Sequence, residues 1–170
     1  PPKFCMLSWK LTALLPVCWA CSYVEIPFLQ EKGDKPSYLI ARTMELSNLY
    51  GKTEYTIEAV PRGGNKFGYV APTNHFHLPG TQAMSKTFEG MNEEGLTISA
   101  HYLAQAVYEA PSAAMPSVSA LDLVPAILAN CSSVDDAIQL LESVHVVTPE
   151  LGMQNFGGLH WAMADSFQLN

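Results

Sequence analysis

Glu89-Gly-Met-Asn-Glu-Glu-Gly-Leu-Thr-Ile-Ser-Ala-His-Tyr102 is the stretch that decides the fold. Asn92-Glu-Glu-Gly95 reads as a tight turn, because a closing glycine takes a positive φ without steric cost. Leu96 to Tyr102 then alternates apolar and polar residues, the period of a strand with one face buried.

Downstream the period changes. Glu109 to Ser119 is a Pro/Ala/Ser-rich connection. Ala120 to Ala129 places Leu121, Val124, Ile127 and Leu128 at helical spacing, and Pro125 within it predicts a late start or a kink. Ser133-Val-Asp-Asp136 has the form of a capping box with Asp in the Glu position, opening a helix through Ile138, Leu141 and Val144. His160 to Ala164 reads as a final strand. Upstream, Ser22 to Phe28 and Tyr38 to Thr43 form a strand pair around the polar turn Glu31 to Pro36. Tyr55 to Val60 alternates and ends at the turn Pro61-Arg-Gly-Gly-Asn65; Phe67 to Ala71 is a further strand, and Pro72 to Gly80 reads as loop. Strands, then two helices, then a strand indicate an α+β or layered α/β architecture.

The 170 residues suffice for one domain with a core, and the chain is 48% hydrophobic and 15% charged, a globular composition. The net charge is −7, and all sixteen acidic residues lie after position 20. With no basic cluster, this balance argues against a nucleic-acid surface. No run of about 18 or more apolar residues marks a membrane span.

Residues 1–20 have the form of a secretory signal peptide, followed by one domain over 21–170. Lys3 and Lys10 supply positive charge, Leu11-Thr-Ala-Leu-Leu15 begins an apolar run, and Cys18 and Ala20 place small residues before a cut after Ala20. The protein is therefore expected to be exported, secreted or periplasmic. A buried element at the start of a fragment is the alternative, and Met6 is a candidate true start. Cys18-Trp-Ala-Cys21 also has the spacing of a redox or metal half-site, but no second cysteine pair follows to complete a zinc site.

Cleavage after Ala20 would make Cys21 the first residue. A free thiol has a pKa of about 8.5 and needs a base or a cation to attack an amide near neutral pH. An N-terminal α-amine, pKa about 7.7–8.0, is such a base on the same residue.

Cys21-Ser-Tyr, Ala41-Arg-Thr-Met-Glu45, Val60-Pro-Arg-Gly63, Glu89-Gly-Met-Asn-Glu-Glu-Gly-Leu96, Ala120-Leu-Asp-Leu-Val124, the Ser133–Leu141 helix and Gly158-Leu-His-Trp161 with Asp165 together resemble the choloylglycine hydrolase family. These bile salt hydrolases and penicillin V acylases are N-terminal-nucleophile hydrolases. The resemblance implies the N-terminal half of a four-layer αββα sandwich. It also implies hydrolysis of a linear amide C–N bond in a small N-acyl substrate, with neither metal nor organic cofactor; homo-oligomerisation is left open.

In the roles this resemblance implies, Cys21 is the nucleophile and Arg42 the cation that favours its thiolate. Glu45 stands where the family's Arg-Thr-Met motif usually ends in Asp, the residue that orients the N-terminal amine. Tyr102 stands where bile salt hydrolases tend to have Asn and penicillin V acylases Tyr, lining the oxyanion region and leaning towards acylase-like substrates. Each also has a structural reading: Arg42 as a solvated strand-edge charge, Glu45 paired with Lys52 or Arg62, Tyr102 as half-buried core. His75 and His77 flank Phe76 and would share a strand face, a conceivable metal pair, although a loop is the expectation there. His160, Asp122 and Asp165 read as structural.

Family members are about twice as long, and a later Asn and a later Arg of their site have no counterpart here. An inactive, truncated chain is thus the alternative to an active amidase. A lipoprotein acylated at Cys21 ranks last, because Trp19 suits that signal poorly.

Overall fold

The computed structural model of the chain describes residues 21–28, 37–43, 53–76, 83–103, 105–148 and 158–165. The expected leader, the turn at 31–36, Glu45 and His77 lie outside the described residues. In chain order the elements are β1 Tyr23–Phe28, β2 Ser37–Arg42, β3 Thr53–Val60, β4 Tyr69–Phe76, β5 Met84–Thr87, β6 Glu89–Asn92, β7 Thr97–Leu103, β8 Ser117–Ser119, α1 Leu123–Asn130, α2 Val134–Glu142, β9 His145–Val147 and β10 Gly158–Ala164. Among the described residues most of the regular structure is strand, with two helices, a mixed composition in keeping with the α+β reading.

The main sheet is antiparallel, in the order β10-β7-β6-β4-β3, and β5 also pairs with β4. β1 and β2 form a separate antiparallel pair, and β8 and β9 a short parallel one. The β6–β7 turn forms as its sequence predicts: Gly95 has φ 87° and its N–H donates to the Asn92 carbonyl.

Strand alternation gives the main sheet two unlike faces. Ile98, Ala100 and Leu159 pack with Leu123, Val124, Ile127 and Leu128 of α1 in one buried cluster. Gly90 permits this approach, since a Cβ there would stand 2.6 Å from Leu128 Cδ1. The buried side chain of Asn92 ties the turn to the helix. Its Nδ2 donates to the Leu128 and Cys131 carbonyls, and its Oδ1 accepts from Glu94 and Leu96 N–H. Thr97, Ser99 and His101 alternate with the apolar set and are also buried. They lie on the opposite face, where the β1–β2 pair sits and the Tyr23 ring meets His101 edge-on at 5.9 Å.

Both helix starts follow from their sequences. Pro125 falls in the first turn of α1, where a missing N–H breaks no intrahelical bond, so the helix starts late rather than kinking. Ser133 caps α2 and accepts from Asp136 N–H. The Asp136 carboxylate accepts chiefly from the Ser132 N–H and hydroxyl, with Ser133 the weaker partner. These bonds hold Asp136 below the usual carboxylate range. Asp165 Oδ2 accepts from Val134 N–H, fastening the end of β10 to α2.

Pro72 to Gly80 does not start as a loop, because β4 runs through Pro72 to Phe76. Pro72 faces Ile57 of β3, but on its other side it falls between the last β6 pair at Val70 and the first β5 pair at Thr73. The ladder is already interrupted there, so a strand tolerates a proline. His75 is therefore a strand residue, with Nε2 on Thr56 Oγ1 at 2.7 Å and Nδ1 on Ser85 Oγ at 2.8 Å.

Candidate active site

Cys21 precedes β1, and Arg42 ends β2 opposite Tyr23. The end of this pair is closed by Thr43, whose Oγ1 accepts from Ser22 N–H at 3.1 Å while its own N–H donates to the Ser22 carbonyl at 2.9 Å. The residue after Cys21 is thereby fixed on both backbone groups. Cys21, Tyr23 and Arg42 share the inner face of the pair by alternation and register, whereas Val24, Ile26 and Leu39 are exposed on the outer face.

Arg42 is not a solvated strand-edge charge, since its side chain is 6% exposed. Nη2 lies 3.9 Å from Cys21 Sγ, and Nη1 donates to the Phe88 carbonyl at 3.4 Å. Nε stands 3.3 Å from Glu89 Oε2 but out of line, an ion pair without a hydrogen bond. One guanidinium thus joins the N-terminal pair, the entry to β6 and the thiol. Burial raises the Glu89 carboxyl above its ordinary range, and Arg42 pulls it back down.

His101 stands beside this group. Its Nε2 meets Ser99 Oγ at 2.9 Å, and its ring stacks on the cross-strand His160 at 5.3 Å. Burial, then Arg42, then His160 lower its pKa, favouring the neutral imidazole. Tyr23, edge-on to it, has its phenol pushed up by burial and by Glu25. A cation beside a thiol favours the thiolate and so prepares sulfur for attack on a carbonyl.

Tyr102 does not stand with this group. Tyr102 is exposed and has the strand parity of Ile98 and Ala100, the helix side of β7; the residue of β7 that faces the β1–β2 pair at this end is His101. Glu45 lies outside the described residues. Asp122 pairs with Lys86 at 2.5 Å, and Cys131 is buried, its thiol pushed up to about 11 by burial and by Asp136. Among the described residues Cys21 and Cys131 are free thiols, no three His, Cys, Asp or Glu gather as metal ligands, and no helix is long and apolar enough to cross a membrane. Glu89 and His101, which act on Arg42, and Thr43, which holds Ser22, are residues that sequence reasoning did not single out.

Residues 32–169 match the profile of the linear amide C–N hydrolases, choloylglycine hydrolase family. The chain belongs to that family. A penicillin V acylase of Pectobacterium atrosepticum is 29% identical over 127 residues, covering 72% of this chain and 32% of its own length. Two solved structures share the fold of this choloylglycine hydrolase family member. One is a mutant conjugated bile acid hydrolase from Clostridium perfringens, with TM-score 0.54 and 17% identity over 86% of this chain and 45% of that one. The other is the penicillin V acylase from Agrobacterium tumefaciens, with TM-score 0.50 and 19% identity over 85% of this chain and 44% of that one. The chain spans about a third of the curated relative and under half of each solved structure.

Proposed function

We propose that the protein hydrolyses the amide bond of a small N-acyl substrate with Cys21 as an N-terminal nucleophile, exposed when an export signal is cut after Ala20. The contact of the buried Arg42 guanidinium with Cys21 Sγ, at 3.9 Å, carries this reading. The thiolate attacks the carbonyl carbon, and the resulting tetrahedral oxyanion collapses to a thioester. The departing amine takes the proton that the Cys21 α-amine had accepted from the thiol. Water then attacks the thioester, the same α-amine takes its proton, and the acid leaves as the thiol re-forms. Every step balances without metal or cofactor. Glu45 is proposed to orient the amine.

The substrate class follows from the family: relatives are named for penicillin V and for conjugated bile acids. The relative at 29% identity is a penicillin V acylase, which makes penicillin V the first substrate to test. Hydrolysis of penicillin V by the processed protein, abolished by Cys21→Ala, is the expected result; hydrolysis that survives Cys21→Ala would overturn the proposal.

A second reading has its own observation. Tyr55, Ile57, Val70 and Met91 are exposed and share one sheet face by register, through the pairs Ile57–Pro72, Ala59–Val70 and Val70–Met91. That is the side on which a second sheet would complete a four-layer αββα sandwich, as expected from sheet-on-sheet packing. On this reading residues 21–170 form half of a site and are inert alone. A chain of these residues that turns over penicillin V would exclude it.

A further inference from the structure

We propose that Glu89 is a positioning residue that shares the Arg42 guanidinium with the Cys21 thiol and so restrains the thiol's reactivity. The inference rests on the reading of Cys21 as nucleophile, but it concerns a residue to which that reading gives no part. Arg42 is buried on the inner face of the β1–β2 pair and among the described residues meets Cys21 Sγ at Nη2, the Phe88 carbonyl at Nη1, and Glu89 Oε2 at Nε. The Phe88 carbonyl and the Glu89 carboxylate come from adjacent residues at the start of β6, so the same backbone step anchors Arg42 and offsets its charge. Glu89 is itself mostly buried, with 28% of its side chain exposed, which leaves this interaction less screened than a surface pair.

The consequence has a definite sign. A thiolate beside Arg42 is favoured by one positive charge and disfavoured by the negative charge on the far side of the same guanidinium. While Glu89 is ionised, the cation is partly neutralised; when Glu89 is neutral, the full charge of Arg42 acts on sulfur. Other groups facing Arg42 are Tyr23 and Glu25 on β1 and His101 on β7, with His160 stacked behind His101. His101 loses a positive charge as pH rises, an effect of the same sign as Glu89 gaining a negative one. A Glu89 variant leaves the His101 contribution in place and isolates that of Glu89.

The test is the rate of disulfide exchange at Cys21 with dithiodipyridine, a reagent usable from acid to neutral pH, on the processed protein. Peptide mapping separates Cys21 from the buried Cys131. In Glu89→Gln the rate at pH 7 should rise by roughly three- to tenfold. In the unsubstituted protein the rate should climb less than tenfold per pH unit across the range where Glu89 ionises, and Glu89→Gln should steepen that slope, leaving only the part of the shortfall that His101 causes. Glu89→Asp keeps the charge and should stay close to the unsubstituted rate. Glu89→Ala, with folding checked by near-ultraviolet circular dichroism, gives a second neutral variant. Equal rates and slopes in all four proteins, with Cys21 still much faster than Cys131, would overturn the role of Glu89 and leave the nucleophile standing. Equal rates at Cys21 and at an unfolded control peptide would instead overturn the activated thiol.

Discussion

Arg42 reaches Cys21 because their strands are paired and not because they are close in sequence: Nη2 stands 3.9 Å from Sγ across 21 residues of chain. The register that sets Tyr23 opposite Arg42 and the two hydrogen bonds between Ser22 and Thr43 fix the two side chains on one face. Arg42→Met removes the guanidinium beside the thiol and should slow disulfide exchange at Cys21 by about tenfold at pH 7. Arg42→Lys should recover part of that rate, since one ammonium cannot hold the Phe88 carbonyl and the thiol together. The check is the same exchange assay; an unchanged rate in Arg42→Met would separate the arginine from the thiol.

Asn92 predicts a stability effect at a distance from the thiol. All four of its side-chain hydrogen bonds are made in a buried site. Asn92→Ala should cost about 2–4 kcal/mol, because it leaves two carbonyls and two N–H groups without their partner. Urea denaturation measures it. A loss below about 0.5 kcal/mol would mean that water replaces the side chain.

His101 predicts a pH dependence. Its folded pKa is lowered, by burial first and then by Arg42 and His160. A lowered pKa means that the unfolded chain binds the proton more tightly. The contribution to stability is therefore full above the unfolded value of about 6.5 and is lost as pH falls through the folded value. The urea midpoint should drop between pH 7 and pH 5, and His101→Gln, which keeps a partner for Ser99, should flatten that drop. An equal drop in the variant would assign the effect to other groups.

Gly90 predicts overpacking. A methyl group there would meet Leu128 Cδ1 at 2.6 Å and the Val70 carbonyl at 2.8 Å. Gly90→Ala should destabilise by about 1–3 kcal/mol and lower the melting temperature, with the larger share of the strain at the backbone contact. Calorimetry checks it, and an unchanged midpoint would mean that α1 yields freely.

The parts of this fold legible in the sequence are those with a period or a local chemical signal. β7 alternates, Gly95 closes its turn, and Ser133 and Pro125 mark helix starts through their own backbone chemistry. Strands β5, β6, β8 and β9 have four residues or fewer, too short to show a period of two. Pro72 misled because its strand-breaking signal is local, whereas its tolerance depends on which neighbours pair beside it. In the candidate site, a signal-like segment and a motif single out Cys21 and Arg42, which the structure brings together. Glu89 was quoted within a motif with no role, since its tie to Arg42 joins residues 47 apart through β6 and β2. His101 was hidden by Tyr102: alternation tells which residues share a face, but only the docked β1–β2 pair tells which face is the site.

The central claim is that Cys21 begins the mature chain and takes the acyl group. Brief exposure of the processed protein to penicillin V, an acid quench, and mass spectrometry of the N-terminal peptide test it in one step. The account predicts a peptide that starts at Cys21 and carries the phenoxyacetyl group, absent in Cys21→Ala. A peptide that retains residues 1–20, or an acyl group found on another residue, would contradict it.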